Sequence, residues 1–137
     1  METRRERFWN STKGKDILKY SISKHSYETV SGSTVRSKSE ARIANYLSNH
    51  NVQFKYEKEI EILGKKYKPD FYLPNYDIYI EFFGLNHIPS YKKECVEKMN
   101  SYSRAKMNCI YLYHKGSRYL EWILEKELTR HGIVVAK

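Results

Sequence analysis

Cysteine and long apolar runs are both scarce in this sequence. Cys95 and Cys109 are the only cysteines, and their spacing matches neither a zinc-binding pattern nor a disulfide framework. No segment approaches the roughly 18 consecutive apolar residues of a membrane-spanning helix. The N-terminal residues 1–7 also lack an apolar core region, so we expect no signal peptide. These absences favour a soluble cytoplasmic protein without a membrane partner.

Internal repeats and several common functional signatures are absent as well. We find no zinc finger, no P-loop and no Ser or Cys nucleophile triad. The five histidines are scattered without the spacing of metal ligands, and we interpret them as solvated residues of loops and helix ends. Of these, His87 follows a predicted hairpin and could line a groove beside it.

Positive charge is what the sequence has in excess. It has 25 Lys and Arg residues against 16 Asp and Glu, a formal net charge of +9. This balance indicates a polyanionic partner, with nucleic acid as the first candidate, although a merely basic soluble protein has the same composition. The 13 tyrosines could stack on bases, but most fall where packing in a core explains them.

The predicted fold is a single α/β domain preceded by an extension. A chain of 137 residues is long enough for one core. We assign residues 1–34 to a basic N-terminal extension, which ends in a linker of small residues, and residues 35–137 to the domain. The predicted order α-β-β-β-α-β-α-β gives a mixed sheet with helices for both faces. We predict helices over 36–50, from Pro89 through Tyr102, and over 117–130, and strands over 53–62, 67–73, 77–83, 109–113 and 133–135.

The hairpin of the second and third predicted strands carries two acidic residues. Pro74-Asn75 is a strong turn signal between two apolar runs. If the turn centres after Asn75, Asp70 lies opposite Glu81. Like charges so placed destabilise a sheet, unless a cation such as Mg²⁺, which takes carboxylate oxygens, lies between them. The plainer alternative is that Asp70 lies at a strand edge and Glu81 pairs with a lysine, but the run over 78–83 is apolar, where an unpaired charge is costly.

Two further charged residues are expected to reach the sheet from helices. Glu40 lies three and seven residues before Ile43 and Leu47, on the inward stripe of the first helix. Lys98 follows Cys95 by three residues on the inward stripe of the second helix. The alternatives are a capping-box partner for Glu40 and a surface lysine for Lys98.

In this order the residues resemble the PD-(D/E)XK nuclease superfamily. The segments V-R-S-K-S-E-A-R-I-A-N-Y-L, F-K-Y-E, K-P-D-F-Y-L-P and I-Y-I-E-F-F-G are similar to the nuclease module of UvrD/Rep-type superfamily I helicases and its stand-alone relatives. The resemblance covers about residues 35–113. It implies a restriction-endonuclease-like core and Mg²⁺-dependent hydrolysis of DNA phosphodiester bonds, with Mn²⁺ able to substitute.

The resemblance also implies the roles of individual residues. Asp70 and Glu81 would hold the metal together with the backbone carbonyl of Phe82. Glu40 would act as an accessory acid for a second metal or a bound water. Metal ions lower the pKa of a bound water and stabilise the leaving oxygen, which fits this set of ligands.

One position departs from the family pattern. The family lysine, two residues after the second acid, is Phe83 here, although a cation is usually needed at such a site. Lys98 is the best replacement, and Lys68, predicted to face Phe83, is the rival. If neither reaches the site, we expect a catalytically degraded nucleic-acid-binding subunit, while an RNA-directed nuclease would share the site.

A homodimer is expected if both strands of a duplex are cut. The candidate nucleic-acid contacts are Lys68, Lys92, Lys93 and Tyr102.

Overall fold

The computed structural model describes residues 26–84 and 88–135. The strands are β1 (Tyr27–Glu28), β2 (Thr34–Val35), β3 (Lys55–Tyr56), β4 (Ile60–Ile62), β5 (Lys65–Tyr67), β6 (Phe71–Leu73), β7 (Ile78–Phe83) and β8 (Asn108–Tyr113). The helices are α1 (Lys38–Asn49), α2 (Pro89–Arg104) and α3 (Leu120–Arg130), and a 3-10 helix (His114–Tyr119) leads into α3. In these two ranges no helix has the length and apolar character needed to cross a membrane.

A four-stranded mixed sheet forms the centre of the domain. Its strand order is β3-β6-β7-β8. Strand β6 is antiparallel to both β3 and β7, whereas β8 runs parallel to β7. The predicted mixed α/β class is therefore confirmed, and the parallel pair requires the α2 crossover between its strands.

The register of the β6–β7 hairpin is the one that the turn predicts. The amide of Tyr76 donates to the carbonyl of Leu73 at 3.1 Å and closes the turn. Phe71 then lies opposite Ile80. One residue beyond this last pair, Asp70 faces Glu81, as the sequence predicts.

The preceding hairpin is interrupted, so the predictions of continuous strands over 53–62 and 67–73 are both wrong. Its outer half, β4–β5, is a separate two-stranded sheet, and three residues on each strand separate it from β3–β6. Glu57 has a φ of 52°, a left-handed conformation that bends the chain. Its amide still donates to the carbonyl of Asp70 at 3.0 Å. Asp70 is therefore placed at the point where the outer half leaves the central sheet.

One face of the central sheet is covered by α1 and α3. Both helices present stripes of apolar residues at helical spacing, and these stripes pack on each other and on the sheet. Each fully buried Leu or Ile contributes roughly 1.5–3 kcal/mol of burial free energy. This face, called the α1–α3 face below, includes the buried residues Ile43, Leu47, Phe71, Leu73, Ile78, Ile80, Ile110, Leu112, Leu120, Leu124 and Leu128.

The opposite face, called the α2 face, is covered by α2. Because side chains alternate along a strand, the residues of β7 that do not join the apolar core point towards this helix. Glu81 and Phe83 are both buried there. The helix begins at Pro89, as predicted, and buries Cys95 and Tyr102. Helices therefore cover both faces of the sheet.

The C-terminal segment differs from the prediction in two places. The helix predicted over 117–130 begins as the 3-10 helix and becomes α-helical only at Leu120. The strand predicted over 133–135 is absent from the described part of the chain. Instead, the amide of Ile133 donates to the carbonyl of Leu128 at 2.9 Å, and its side chain closes the core. A backbone bond to the helix end replaces strand pairing.

The predicted N-terminal extension is described only from residue 26. Residues 29–33 of its expected linker over 29–34 form the turn of a small β1–β2 hairpin, in which the Thr29 hydroxyl donates to the carbonyl of Ser33 at 2.9 Å. Strand β2 crosses the predicted boundary between residues 34 and 35, and Val35 is buried. Residues 1–25 and His87 lie outside the described residues.

Candidate functional site

Asp70 and Glu81 face each other through reciprocal hydrogen bonds. The Oδ2 atom of Asp70 accepts the amide of Phe82 at 2.7 Å. The Oε1 atom of Glu81 accepts the amide of Asp70 at 3.0 Å. Each carboxylate thus satisfies a backbone donor on the opposite strand, beyond the point where β6 stops pairing with β7. The two acids are fixed by the backbone of their own hairpin.

Residues of α2 complete the environment of Glu81. Its side chain is only 2% exposed, and a buried carboxylate requires hydrogen-bond or ionic partners. Tyr102 donates its hydroxyl to Oε2 at 3.0 Å, and the Lys98 ammonium lies 3.7 Å from the same atom. The Lys98 side chain is itself 41% exposed. The ammonium therefore lies between the buried acid and solvent.

The Asp70 carboxyl is electrostatically unfavourable as an anion. Its pKa is raised well above the ordinary value, chiefly by burial and then by the negative charges of Glu81 and Glu40. The hydrogen bond from the Phe82 amide and the charge of Lys98 oppose this shift only in part. A carboxylate in such a setting binds either a proton or a cation. The raised pKa distinguishes Asp70 from an ordinary surface aspartate.

Glu40 approaches the pair from the start of α1. Its amide donates to the Ser37 Oγ at 3.1 Å, which is the predicted helix cap. In a regular capping box the glutamate side chain would accept the amide of the N-cap residue, Ser37. Here Oε1 of Glu40 accepts the amide of the preceding residue, Arg36, at 3.1 Å. The same oxygen accepts the Tyr56 hydroxyl at 2.7 Å. Glu40 is therefore both a capping residue and a buried acid whose charge acts on Asp70.

The remaining predicted residues occupy different environments. Among the described lysines, Lys98 forms the ion pair with Glu81, while Lys68, Lys92 and Lys93 are exposed. Tyr102, predicted to contact nucleic acid, is 0% exposed and has no surface for that contact. Its role here is to hold Glu81.

Phe83 occupies an aromatic cluster where the family lysine would stand. Its ring stacks on Tyr111 at a centroid distance of 5.6 Å and lies 5.9 Å from the Tyr113 ring. The side chain is 1% exposed. A lysine at this position would lose these contacts and bury its charge, whereas Lys98 of α2 places its ammonium 3.7 Å from Glu81.

The sequence did not predict the roles of two tyrosines beside the acids. Tyr102 was predicted to contact nucleic acid rather than to hold Glu81, and the signal for its actual role is its spacing four residues after Lys98, which puts both on one helix face. Tyr91 lies on the same stripe. Burial, Cys95 and the charge of Asp70 raise its pKa to about 12. Its hydroxyl therefore stays protonated at neutral pH.

The donor set suits a hard cation such as Mg²⁺. Mg²⁺ typically binds one or two carboxylates and completes its shell with waters and substrate phosphates, and the Asp70–Glu81 pair offers two. Over residues 26–84 and 88–135, no group of three or more His, Cys, Asp and Glu side chains is close enough to hold a metal. Burial raises the thiol pKa of both Cys95 and Cys109, which disfavours soft thiolate coordination.

Two surface clefts of the described residues do not include the facing acids in their lining. Cavities of about 450 and 640 Å³ are lined by residues other than Asp70 and Glu81. No family model matches this sequence, and no curated protein or solved structure is similar enough to identify a relative. The interpretation of the site therefore depends on its own residues and their geometry.

Proposed function

We propose that this protein is an Mg²⁺-dependent endonuclease that hydrolyses DNA, with a site of the PD-(D/E)XK type. One observation carries the proposal: Asp70 and Glu81 face each other across a hairpin, and Lys98 reaches Glu81 at 3.7 Å. Two facing acids and one cation are the groups that the chemistry requires. The two acids follow the order of the motif in the sequence, whereas the cation comes from α2 instead of the motif position.

The residues of the site would divide the work as follows. Asp70 and Glu81 would hold Mg²⁺, as would the carbonyl of Phe82 if it completes the ligand set. Bound Mg²⁺ would supply Lewis-acid stabilisation of the phosphate and a water of lowered pKa. The Tyr102 hydroxyl keeps the Glu81 carboxylate oriented. Glu40, held by Tyr56, would accept a hydrogen bond from a water near the acids.

Lys98 would take the place of the missing family lysine. Its ammonium has exposed surface and also contacts the buried acid, so a phosphate at the site could share it. A cation so placed offsets negative charge that develops on the phosphate oxygens. The net charge of +9 would attract a polyanionic substrate to the protein as a whole.

The decisive experiment measures nicking of supercoiled plasmid DNA with Mg²⁺ or Mn²⁺ and with EDTA. We expect metal-dependent nicking that Asp70→Asn and Glu81→Gln each reduce by at least about 100-fold, the scale of losing a principal electrostatic contribution. Asp77→Asn, an exposed acid of the same hairpin, is the matched control and should cleave normally. Full cleavage by Asp70→Asn would exclude the proposed site.

A second pair of variants tests the lysine. Lys98→Met should lower the cleavage rate without preventing DNA binding. Lys92→Met removes an exposed charge of the same helix that is a candidate phosphate contact, so it should weaken binding but leave the cleavage rate of bound DNA unchanged. Loss of cleavage in a Lys68→Met variant but not in Lys98→Met would transfer the role to Lys68.

The buried Phe83 favours a second candidate, a catalytically degraded subunit that binds nucleic acid. Such a protein would bind DNA but would show neither Mg²⁺-stimulated turnover nor metal binding that depends on Asp70. A panel of single-stranded, duplex, branched and RNA substrates separates a deoxyribonuclease from an RNA-directed enzyme. Analytical ultracentrifugation with duplex DNA tests the expected homodimer.

A further inference from the structure

A group of aromatic residues is exposed where the 3-10 helix meets α3. Tyr119 is 58% exposed and Trp122 is 57% exposed. Their spacing of three residues puts both on one side of the helical segment. Aromatic side chains provide large contact areas at binding surfaces. Two adjacent exposed rings therefore offer a stacking platform.

Cations lie directly over these rings. The Arg118 guanidinium carbon is 5.6 Å from the centroid of the Tyr119 ring, and the Lys126 ammonium is 3.9 Å from the Trp122 ring. Both distances fall within the range of cation–π attraction. With Lys115, which is exposed on the preceding turn, these residues form what we call the aromatic–basic surface: Lys115, Arg118, Tyr119, Trp122 and Lys126.

Arg42 of α1 pairs with Glu121, the residue before Trp122, and ties this surface to the domain. Its guanidinium forms a two-point contact with Glu121, at 2.7 and 2.6 Å. The hydrogen bond from Arg42 is the main reason why the pKa of Glu121 is lowered. A third bond, to the carbonyl of Ser117 at 2.6 Å, ties the 3-10 helix to α1. Glu121 is therefore paired within the domain, and the 3-10 helix keeps its position relative to α1.

A cleft adjoins the surface at Lys115. It has a volume of about 450 Å³, and its lining includes Lys115, Tyr113 and Ile123. Ligand pockets typically have volumes of about 300–1,000 Å³. The cleft can therefore accept a flat apolar group whose charged neighbour contacts the lysine.

We propose that the aromatic–basic surface binds single-stranded nucleic acid. Bases would stack on Tyr119 and Trp122, and the flanking phosphates would pair with Lys115, Arg118 and Lys126. Alternating aromatic platforms and cations are the features by which proteins hold unpaired strands, and the phosphates supply the complementary charge. The proposal needs no cleavage, and it holds even if Asp70 and Glu81 prove inactive.

Tryptophan fluorescence provides a direct test. The sequence has two tryptophans, so a Trp9→Phe variant of the full chain leaves Trp122 as the only one. In EDTA, which prevents metal-dependent cleavage, titration with oligothymidylate should quench the emission of Trp122. A blunt duplex of equal length should bind more weakly, because its bases are already stacked on each other.

Binding measured by fluorescence anisotropy of a labelled oligothymidylate tests the residue assignments. Trp122→Ala should weaken binding by at least about fivefold, the lower end expected for losing one stacked base. Trp122→Phe should restore most of the affinity, because it keeps a ring. Tyr76→Ala, at a tyrosine 42% exposed elsewhere, should bind normally.

Three results would overturn the proposal. The first is unchanged binding by both Trp122→Ala and Tyr119→Ala. The second is equal, Trp122-dependent binding of polyglutamate, which would assign the surface to an acidic protein. The third is Trp122-dependent binding to phosphatidylserine vesicles but not to oligothymidylate, which would assign it to a lipid surface.

Discussion

The two faces of the central sheet are packed in different ways. On the α1–α3 face, the buried side chains of β6, β7 and β8 are aliphatic or aromatic, and they meet the apolar stripes of two helices. On the α2 face, the same strands bury Glu81 next to Phe83. There the covering helix supplies the hydroxyl of Tyr102 and the ammonium of Lys98. Alternate residues of β7 thus contribute to the apolar core on one side and to the environment of the acids on the other.

The two faces therefore have different roles: the α1–α3 face stabilises the fold, and the α2 face holds the acids of the candidate site. Apolar burial stabilises the fold without directional requirements, whereas a buried carboxylate is tolerated only with well-placed partners. Every buried side-chain nitrogen and oxygen of the described residues has such a partner. The α2 face is therefore fully hydrogen-bonded, although Asp70 still carries a strongly raised pKa. The unfavourable electrostatic free energy of placing the two acids together therefore acts mainly on Asp70, the residue that we propose binds a cation.

The largest change in stability is expected on the α1–α3 face. Ile80 is 0% exposed in the apolar core, and Ile80→Ala should lower the free energy of unfolding by about 2–5 kcal/mol because it leaves a cavity. Urea unfolding in EDTA measures the change. The control Ile80→Val should cost only about 0.5–1.5 kcal/mol. Similar values for the two variants would mean that this face is loosely packed.

A smaller loss is expected on the α2 face. Tyr102→Phe removes the hydroxyl that donates to Glu81, and a hydrogen bond to a charged group contributes about 1.5–3 kcal/mol. Tyr67→Phe is the matched control. It removes a neutral bond to Ser101, worth about 0.5–1.5 kcal/mol. If the control costs as much as Tyr102→Phe, Glu81 does not depend on the tyrosine.

The effect expected at Asp70 has the opposite sign and depends on pH. Because the folded pKa is raised above the ordinary value of 3.8, the stability linked to this group is complete below that value and is lost as pH rises through the folded pKa. Asp70→Asn cannot lose it and keeps an oxygen to accept the Phe82 amide. In EDTA, the variant should therefore gain on the wild type as pH rises.

Urea midpoints measured between about pH 4 and pH 8 test this linkage. Parallel profiles for the wild type and Asp70→Asn would contradict it, and Asp77→Asn serves as the control for a change of surface charge. Mg²⁺ should stabilise the wild type more than Asp70→Asn, since a ligand that binds only the folded state raises its stability. Equal stabilisation by Mg²⁺ would place the ion elsewhere.

The elements that local chemistry specifies could be predicted from the sequence. Ser37 caps α1, Pro89 begins α2, and Pro74-Asn75 sets the register of β6–β7. Caps and tight turns depend on a few adjacent residues, so their signals are present in short segments. The positions of Asp70 and Glu81 on facing strands followed directly from that register.

Other features depend on contacts between distant segments. The bend at Glu57, the 3-10 start of the last helix and the docking of Ile133 on the end of α3 have no clear local signal. In each case tertiary packing overrides the pattern of the segment. The same is true of Phe83, which an aromatic cluster on β8 accommodates.

The sequence by itself determined the mixed α/β class, the β6–β7 register and the pairing of two acids, because turns, caps and periodicity act over a few residues. Only the tertiary structure decided that Lys98, rather than Lys68, contacts Glu81, and that Tyr102 serves this acid. These choices depend on where α2 crosses the sheet. That position is set by the packing of many side chains together, which no single segment encodes.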